Sequence, residues 1–372
     1  MTRAFRAPGR VNLIGEHTDY NLGFVLPIAV DLACVARAAP AADGRLRIHS
    51  EDLNESADWA VADLANLSPS HAWTDYVIGV ARELILAGYD VGPQSLRIHS
   101  TVPIGSGLSS SAALEVSSAL AMLGGQPIEP MALAQLCQRA EREFVGVPSG
   151  IMDQYVAVFG QEGAAIEIDC RSLTHKVVTL PPDVEIVAVN SMVKHELGRS
   201  AYRERTEQCA AAVEAIRASY PEVSSLRDVD TRMFCGIAAS LPDKIRRRAR
   251  HVVTEDERVG RFVAGCRGGD LGKLGELFVD SHRSLQFDYE VSCEELDFLV
   301  DTALSIEGVY GARMTGGGFG GSTVNLIDPA ASARFEREIS GKYHARYSVR
   351  PQVYRCRPSA GASEIPPCTS IH

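Results

Sequence analysis

Apolar positions recur along the chain with two different periods. Between Trp73 and Ala87 the residues Trp73, Val77, Val80, Leu84 and Ala87 fall three and four apart, which predicts a helix that Gly88 ends. The same spacing links Ala113, Val116, Leu120 and Leu123 after Ser111, with Gly124-Gly125 as the stop. A third helical stretch, Met131 to Phe144, turns Leu133, Leu136, Ala140 and Phe144 to its buried side and leaves Glu141 beside that stripe. Helical register returns after Ser200 through Cys209, Val213, Ile216 and Tyr220, and more helical segments fill 228–305.

Strand-like alternation separates these helices. The pentapeptide Leu-Arg-Ile-His-Ser occurs at 46–50 and again at 96–100; its flanks do not match, so it marks two half-buried strands and no repeat. Phe159 to Leu180 alternates, Val184 to Val189 is a mostly apolar strand, and Ser322 to Ile327 alternates again. Pro181-Pro182 is the best boundary, dividing an N-terminal domain, 1–180, from a C-terminal one, 181–357. The remainder, 358–372, is rich in Pro, Ser and Ala and is expected to be disordered. Helices packed on sheets in two units make an α+β class.

Composition narrows the function. A chain of 372 residues with 45% apolar content can bury two cores. Its net charge of −10 argues against nucleic acid as a partner. The only basic run, Lys244, Arg246, Arg247, Arg248 and Arg250, is followed by Glu255, Asp256 and Glu257, and is expected to be a solvated helix face. Nine cysteines without a CxxC pair or a Cys/His metal spacing are expected to be reduced thiols. The start lacks an apolar signal core and no run of about 18 apolar residues is present, so the expectation is a cytoplasmic protein with no membrane partner. Neither a Walker phosphate loop nor a G-x-S-x-G elbow occurs.

Four stretches carry candidate chemistry. Pro103 to Ala112, a Gly/Ser turn opening a helix, suits an anion, because small side chains leave backbone N–H groups uncovered and the helix adds its positive end. An ordinary capped helix has the same spelling. The cluster Gly9-Arg10-Val11-Asn12-Leu13-Ile14-Gly15-Glu16-His17-Thr18-Asp19-Tyr20 offers donors and acceptors suited to a polyhydroxyl ligand, with Arg10 as a fixed positive charge; Glu16 and His17 would equally decorate a loop. Asp153 follows a Pro/Gly turn in a mostly apolar run, as a general base or a helix cap. Arg313 to Ser322 contains the spacing G-x-G-x-x-G, but it comes late and precedes a strand, so a strand-to-strand glycine loop fits better than a dinucleotide site.

In this order the motifs resemble the GHMP small-molecule kinases, and among them the galactokinases. The likeness rests on Gly9 to Tyr20, Pro103 to Ala112 and Met314 to Gly321. Gly150-Ile151-Met152-Asp153-Gln154, Arg248 to Val253, and Ser281-His282 through Tyr289 to Ser292 fill the intervals. The resemblance implies an N-terminal domain like ribosomal protein S5 domain 2 and a ferredoxin-like C-terminal domain, with ATP and sugar meeting between them. It further implies that Gly105, Ser106, Gly107, Leu108, Ser109, Ser110, Ser111 and Ala112 hold the ATP phosphates. Ser110 or Ser111 with Glu141 would place Mg²⁺. Glu16, His17, Asp19, Gly150 and Tyr202 would hold the sugar, and Asp153 with Arg10 would face the anomeric hydroxyl. The implied activity is ATP-dependent phosphorylation of galactose by a monomer. Alternatives are a kinase for N-acetylgalactosamine, arabinose or galacturonate, or a non-catalytic sugar sensor. Leu22 stands where these proteins usually carry Asp, Ser322 replaces a common Cys, and the lead into the first motif is short.

Overall fold

The two copies of Leu-Arg-Ile-His-Ser lie side by side in one sheet. A computed structural model of the chain describes residues 2–194 and 198–366. Its first half contains β1 (Arg3–Asn12), β2 (Phe24–Val25), β3 (Pro27–Pro40), β4 (Arg45–Ser50), β5 (Glu55–Ala60), α1 (Thr74–Leu86) and β6 (Gln94–Ser100). There follow α2 (Ser110–Leu123), α3 (Pro130–Arg139), α4 (Met152–Phe159), β7 (Ala164–Asp169) and β8 (Thr174–Thr179). The second half contains β9 (Glu185–Lys194), α5 (Gly198–Arg217), α6 (Thr231–Ile237), α7 (Asp243–Gly268), α8 (Leu271–Ser284) and α9 (Glu294–Leu304). It ends with β10 (Val309–Thr315), β11 (Gly320–Ile327), α10 (Ser332–Tyr347), β12 (Gln352–Cys356) and β13 (Ser363–Ile365).

The first sheet has the order β13-β1-β3-β6-β4-β5. Only β4 and β6, the strands of the shared pentapeptide, pair in parallel, offset so that Ile48 faces Leu96. Leu46, Ile48, Leu96 and Ile98 are all buried, as the alternation requires. Helix α2 lays Ala113, Val116 and Ala119 against this sheet, and Gly124 closes it in the left-handed conformation. The chain then passes from the sheet β2-β7-β8 across Pro181-Pro182 into the antiparallel sheet β10-β11-β9-β12. Helices α9 and α10 cover one face of that second sheet through Leu299, Val300, Phe335 and Ile339. Phe278 of α8 and Val259 of α7 share a core with Ala188 and Val324, and that core is continuous with the core of the first sheet.

Three expectations change. The stretch 131–144 is not one α-helix: α3 stops at Arg139 and residues Ala140–Val145 wind as a wider π turn. The basic run is a solvated face only in part: Lys244 and Arg250 are exposed, but Arg248 is fully buried and donates to Gln208 Oε1 at 2.8 Å and to the Asp288 carbonyl at 2.6 Å. Arg247 and Arg248 both pair with Glu290, so the run clamps the π turn Leu285–Tyr289. Residues 358–366 are not a free tail: Pro358 bridges Val30, and β13 adds to the sheet edge with Phe5 opposite Glu364. Poor core-forming composition does not prevent edge pairing, which uses backbone groups alone. The rest of the expected tail, 367–372, lies outside the described residues. Six of the eight described cysteines are buried, and all eight are free thiols.

Candidate active site

Strand β1 delivers Arg10 to its last turn and runs into the loop 13–23 that carries Glu16, His17 and Asp19. The loop is closed by Thr18, whose hydroxyl donates to the Gly15 carbonyl at 2.8 Å and the Phe24 carbonyl at 2.6 Å. His17 sits at φ +64°, held by Tyr20 OH at 2.9 Å from Nδ1 and by Asn21 donating to its carbonyl at 2.8 Å. The second half of the chain grips the same loop. Glu255 accepts from the Gly15 N–H at 3.0 Å, Arg313 donates to the Leu13 carbonyl at 2.8 Å, and His251 Nε2 meets the Glu16 carbonyl at 3.0 Å.

Asp153 lies in the first turn of α4 but caps nothing there. Its carboxylate faces Arg10 in a two-pronged pair, Nε to Oδ1 and Nη2 to Oδ2, both 2.9 Å. Ser109 donates to Oδ2 at 2.5 Å, and Arg10 also reaches the Gly107 carbonyl. The Gly/Ser turn is therefore tied to Asp153 through a contact that its spelling did not disclose. Ser109 makes it from a left-handed backbone, φ +59°, an uncommon conformation for a residue with a side chain.

Two adjoining cavities share Arg10, Asp153 and Gly317. The smaller, about 160 Å³, brings together Arg10, Glu16, His17, Asp19, Gly150, Asp153 and Tyr202, every residue expected to face a sugar, with Glu141 at its edge. The larger, about 500 Å³, is lined by Gly105, Gly107, Ser109, Ser110 and Ser111. The other three residues expected to hold phosphate turn inward. The Ser106 hydroxyl donates to the Pro103 carbonyl at 2.8 Å, and Leu108 and Ala112 are buried. The larger cavity continues to Trp73 and Tyr76, which periodicity placed in helix α1 without a functional role. Trp73 is only half-buried and its Nε1 donates to Glu55 at 2.7 Å. A large aromatic just ahead of the helix was the available signal.

The late glycines form the strand-to-strand loop between β10 and β11 and pack on the Gly/Ser turn. A Cβ on Gly316 would lie 3.1 Å from the Gly107 carbonyl, and Ser322 donates to the Ser106 carbonyl at 2.6 Å. The same loop binds Glu16, whose Oε1 accepts from the Gly316 N–H at 2.9 Å and the Thr315 hydroxyl at 3.0 Å.

Charges in the site are strongly coupled. Burial pulls the Arg10 guanidinium down, but Asp153, Glu16 and Asp19 outweigh it, and its pKa rises. Burial, then repulsion from Asp153, pushes Asp19 up to about 7. Burial raises Glu141 against hydrogen bonds from Ser149, Gln154 and Ser111 that favour its charged form. Burial also lowers His17, with His251 and Arg205 adding repulsion, so His17 is a neutral ring.

A cavity of about 160 Å³ adjoins the Gly/Ser turn and the late glycine loop, and comparison with known proteins places this arrangement among the small-molecule kinases. The family model "GHMP kinases N terminal domain" matches residues 75–161 and "GHMP kinases C terminal" matches 262–345. "Galactokinase galactose-binding signature" matches residues 2–40. The chain is 43% identical to a galactokinase of Roseiflexus sp. (strain RS-1), covering 97% of this chain and 92% of that protein. It is 44% identical to one of Bos taurus, covering 92% and 88%. A crystal structure of Lactococcus lactis galactokinase complexed with galactose superposes with a TM-score of 0.93 at 33% identity, over 98% of this chain and 95% of that one. The chain belongs to the galactokinase family.

Proposed function

We propose that this protein transfers the γ-phosphoryl group of ATP to the anomeric hydroxyl of galactose, giving galactose 1-phosphate and ADP. The observation that carries the reading is the junction of the two cavities. There the Arg10–Asp153 pair and the Gly/Ser turn meet through Ser109. In this reading the smaller cavity takes the sugar, with Glu16, His17, Asp19, Gly150 and Tyr202 around its hydroxyls. The larger cavity takes ATP, its phosphates on the turn 105–111 and its base towards Trp73 and Tyr76.

Phosphoryl transfer needs in-line positioning and neutralisation of charge on the moving group more than covalent help from the protein. The anomeric oxygen attacks the γ-phosphorus, the bond to the ADP oxygen breaks, and the hydroxyl proton passes to an Asp153 carboxylate oxygen. Arg10 holds that carboxylate in place with two hydrogen bonds. Backbone N–H groups and Arg10 therefore carry much of the rate. Glu141 with the Ser110 and Ser111 hydroxyls is an all-oxygen donor set of the kind Mg²⁺ takes, and the metal supplies charge neutralisation on the ATP phosphates. In this reading the protein acts as a monomer on sugar and ATP alone.

The sensor alternative is not favoured, since Ser109-Ser110-Ser111-Ala112, Glu141 and Asp153 are all present. The test is ADP release with galactose, talose, galactosamine, N-acetylgalactosamine, glucose, arabinose and galacturonate. Galactose should be the best acceptor. No turnover with galactose would overturn the substrate, and none with any sugar would restore the sensor.

A further inference from the structure

Gln154 is fully buried one residue after Asp153, and none of the roles above uses it. Its amide nitrogen carries two hydrogens, and both go to carboxylates. Nε2 donates to Glu141 Oε2 at 3.0 Å and to Glu115 Oε2 at 2.9 Å. Three helical elements meet at this one nitrogen: α2 through Glu115, the π turn through Glu141, and α4 through Gln154. The amide oxygen of Gln154 and the second oxygen of Glu115 are buried with no hydrogen-bond partner among the described residues.

The geometry restricts what Glu141 can offer a ligand. Its Oε2 is occupied twice, by Gln154 and by the Ser149 hydroxyl at 2.5 Å, so that, beside the hydrogen bond Glu141 receives from Ser111, its other oxygen is the one left for a ligand. Glu115 in turn decides which end of the amide faces Glu141. With an acceptor oxygen from each acid on that side, the nitrogen faces both; burial and the neighbouring Glu141 raise Glu115 well above the usual carboxyl range, and its carbonyl oxygen accepts from Nε2 in the neutral form too. A flipped amide would set its oxygen against Glu141 Oε2 and leave that oxygen with Ser149 alone. An amide suits the place because it cannot ionise and keeps its two donors at every pH. A buried carboxyl group such as Glu115, far from the reacting atoms, is costly unless it serves an arrangement of this kind.

We propose that Gln154 and Glu115 are positioning residues for the metal-binding carboxylate: Gln154 fixes Glu141 so that one oxygen faces Mg²⁺, and Glu115 fixes the amide. The inference rests on the reading of Glu141 as a Mg²⁺ ligand. Outer-shell partners of metal ligands are commonly worth about 10- to 100-fold in metal affinity. The measurement is the affinity of the whole protein for ATP by calorimetry, without sugar, once in EDTA and once at saturating Mg²⁺. The ratio of the two affinities isolates the metal's contribution. Gln154→Met should shrink that ratio by about tenfold or more and leave the affinity in EDTA at the wild-type value. Glu115→Leu should shift the ratio the same way. Glu115→Gln, which keeps an acceptor for Nε2, should restore it. A general packing defect would instead weaken both affinities together. An unchanged ratio in folded Gln154→Met overturns the inference. Should that variant fail to fold, equal ratios in Glu115→Leu and Glu115→Gln overturn it. Glu141→Gln separates the two levels: a wild-type ratio there overturns the metal-ligand reading itself, whereas a reduced ratio with an unchanged Gln154→Met overturns only the positioning role.

Discussion

Asp153 is held by two bonds from Arg10 and one from Ser109. Asparagine in its place keeps the size and one acceptor but cannot take a proton. Asp153→Asn is therefore expected to lower kcat by at least about 10²-fold, the usual scale of general-base help, while ATP affinity stays near wild type. Near-normal turnover in steady-state assays would remove Asp153 from its role. Asp19 gives a second test, because its carboxyl group titrates at about 7 in the fold against an ordinary 3.8. In the proposed reading it is a charged acceptor for sugar hydroxyls above that value, and below it is neutral and a poorer one. The KM for the sugar should thus fall as pH rises through about 7, and Asp19→Asn should flatten that part of the profile. The residue types at 10, 16, 17, 19, 150, 153 and 202 were legible from motif spelling. The Ser109 contact was not, since it depends on a left-handed backbone that no side-chain pattern encodes.

At the scale of elements, the sugar loop and the turn before α4 are packed on each other without slack. A Cβ on Gly150 would fall 1.8 Å from Asp19 Oδ2, so this glycine is present for space and not for backbone freedom. Gly150→Ala must displace the Asp19 carboxylate, and misplacing a binding group by about 1 Å can cost on the order of 10²-fold. The loss should appear in kcat/KM for the sugar, with the KM for ATP little changed; equal losses for both substrates would place the damage in the fold. Helices α1 and α2 were readable because a period of 3.6 buries one stripe: Val77, Val80 and Leu84 of α1 and Ala113, Val116 and Leu123 of α2 are buried, while Trp73 and Leu120 are partly so and Ala87 is exposed beyond the end of α1. The π turn Ala140–Val145 was not, because the same apolar stripe leads into it and its close packing on Gly79 of α1, through Ala140 and Phe144, is a contact that periodicity does not show. That winding sets where Glu141 emerges, so the carboxylate proposed to meet Mg²⁺ was legible as a residue but not as a position. The late glycine loop was legible as a connection, since alternation after Ser322 required a strand there.

Across the whole molecule, the sugar loop belongs to the first sheet but is held by the second half of the chain. Glu255 of α7 accepts from the Gly15 N–H, the Ser281 hydroxyl and Arg258, and lies near Arg313 of β10. The change of sheet at Pro181-Pro182 could be read from composition, whereas the return of residues 358–366 to β1 and this buried ionic network could not. The return to β1 and the Gly15–Glu255 contact depend on partners more than 200 residues away, Gly15 to Glu255 being 240 apart, and the pairing of Glu255 with Arg313 joins a helix to a later strand. Burial alone would raise the Glu255 carboxyl group, but Arg258, His251 and Arg313, with a hydrogen bond from Ser281, pull it down to about 2 from 4.5. A group lowered in this way stabilises the fold fully above its ordinary value of 4.5, and the contribution is lost as pH falls towards 2. Glu255→Gln keeps the shape and an acceptor for Gly15 but leaves Arg258 and Arg313 without their shared charge, and breaking a buried pair costs about 3–5 kcal/mol. Urea unfolding from neutral to acid pH should therefore find the variant less stable at pH 7 and its stability declining less steeply below pH 4.5 than in wild type. Sugar affinity should fall along with stability at neutral pH, because the network anchors the loop that carries Glu16, His17 and Asp19. Parallel pH curves for the two proteins would show that Glu255 is not the acid-sensitive link between the halves.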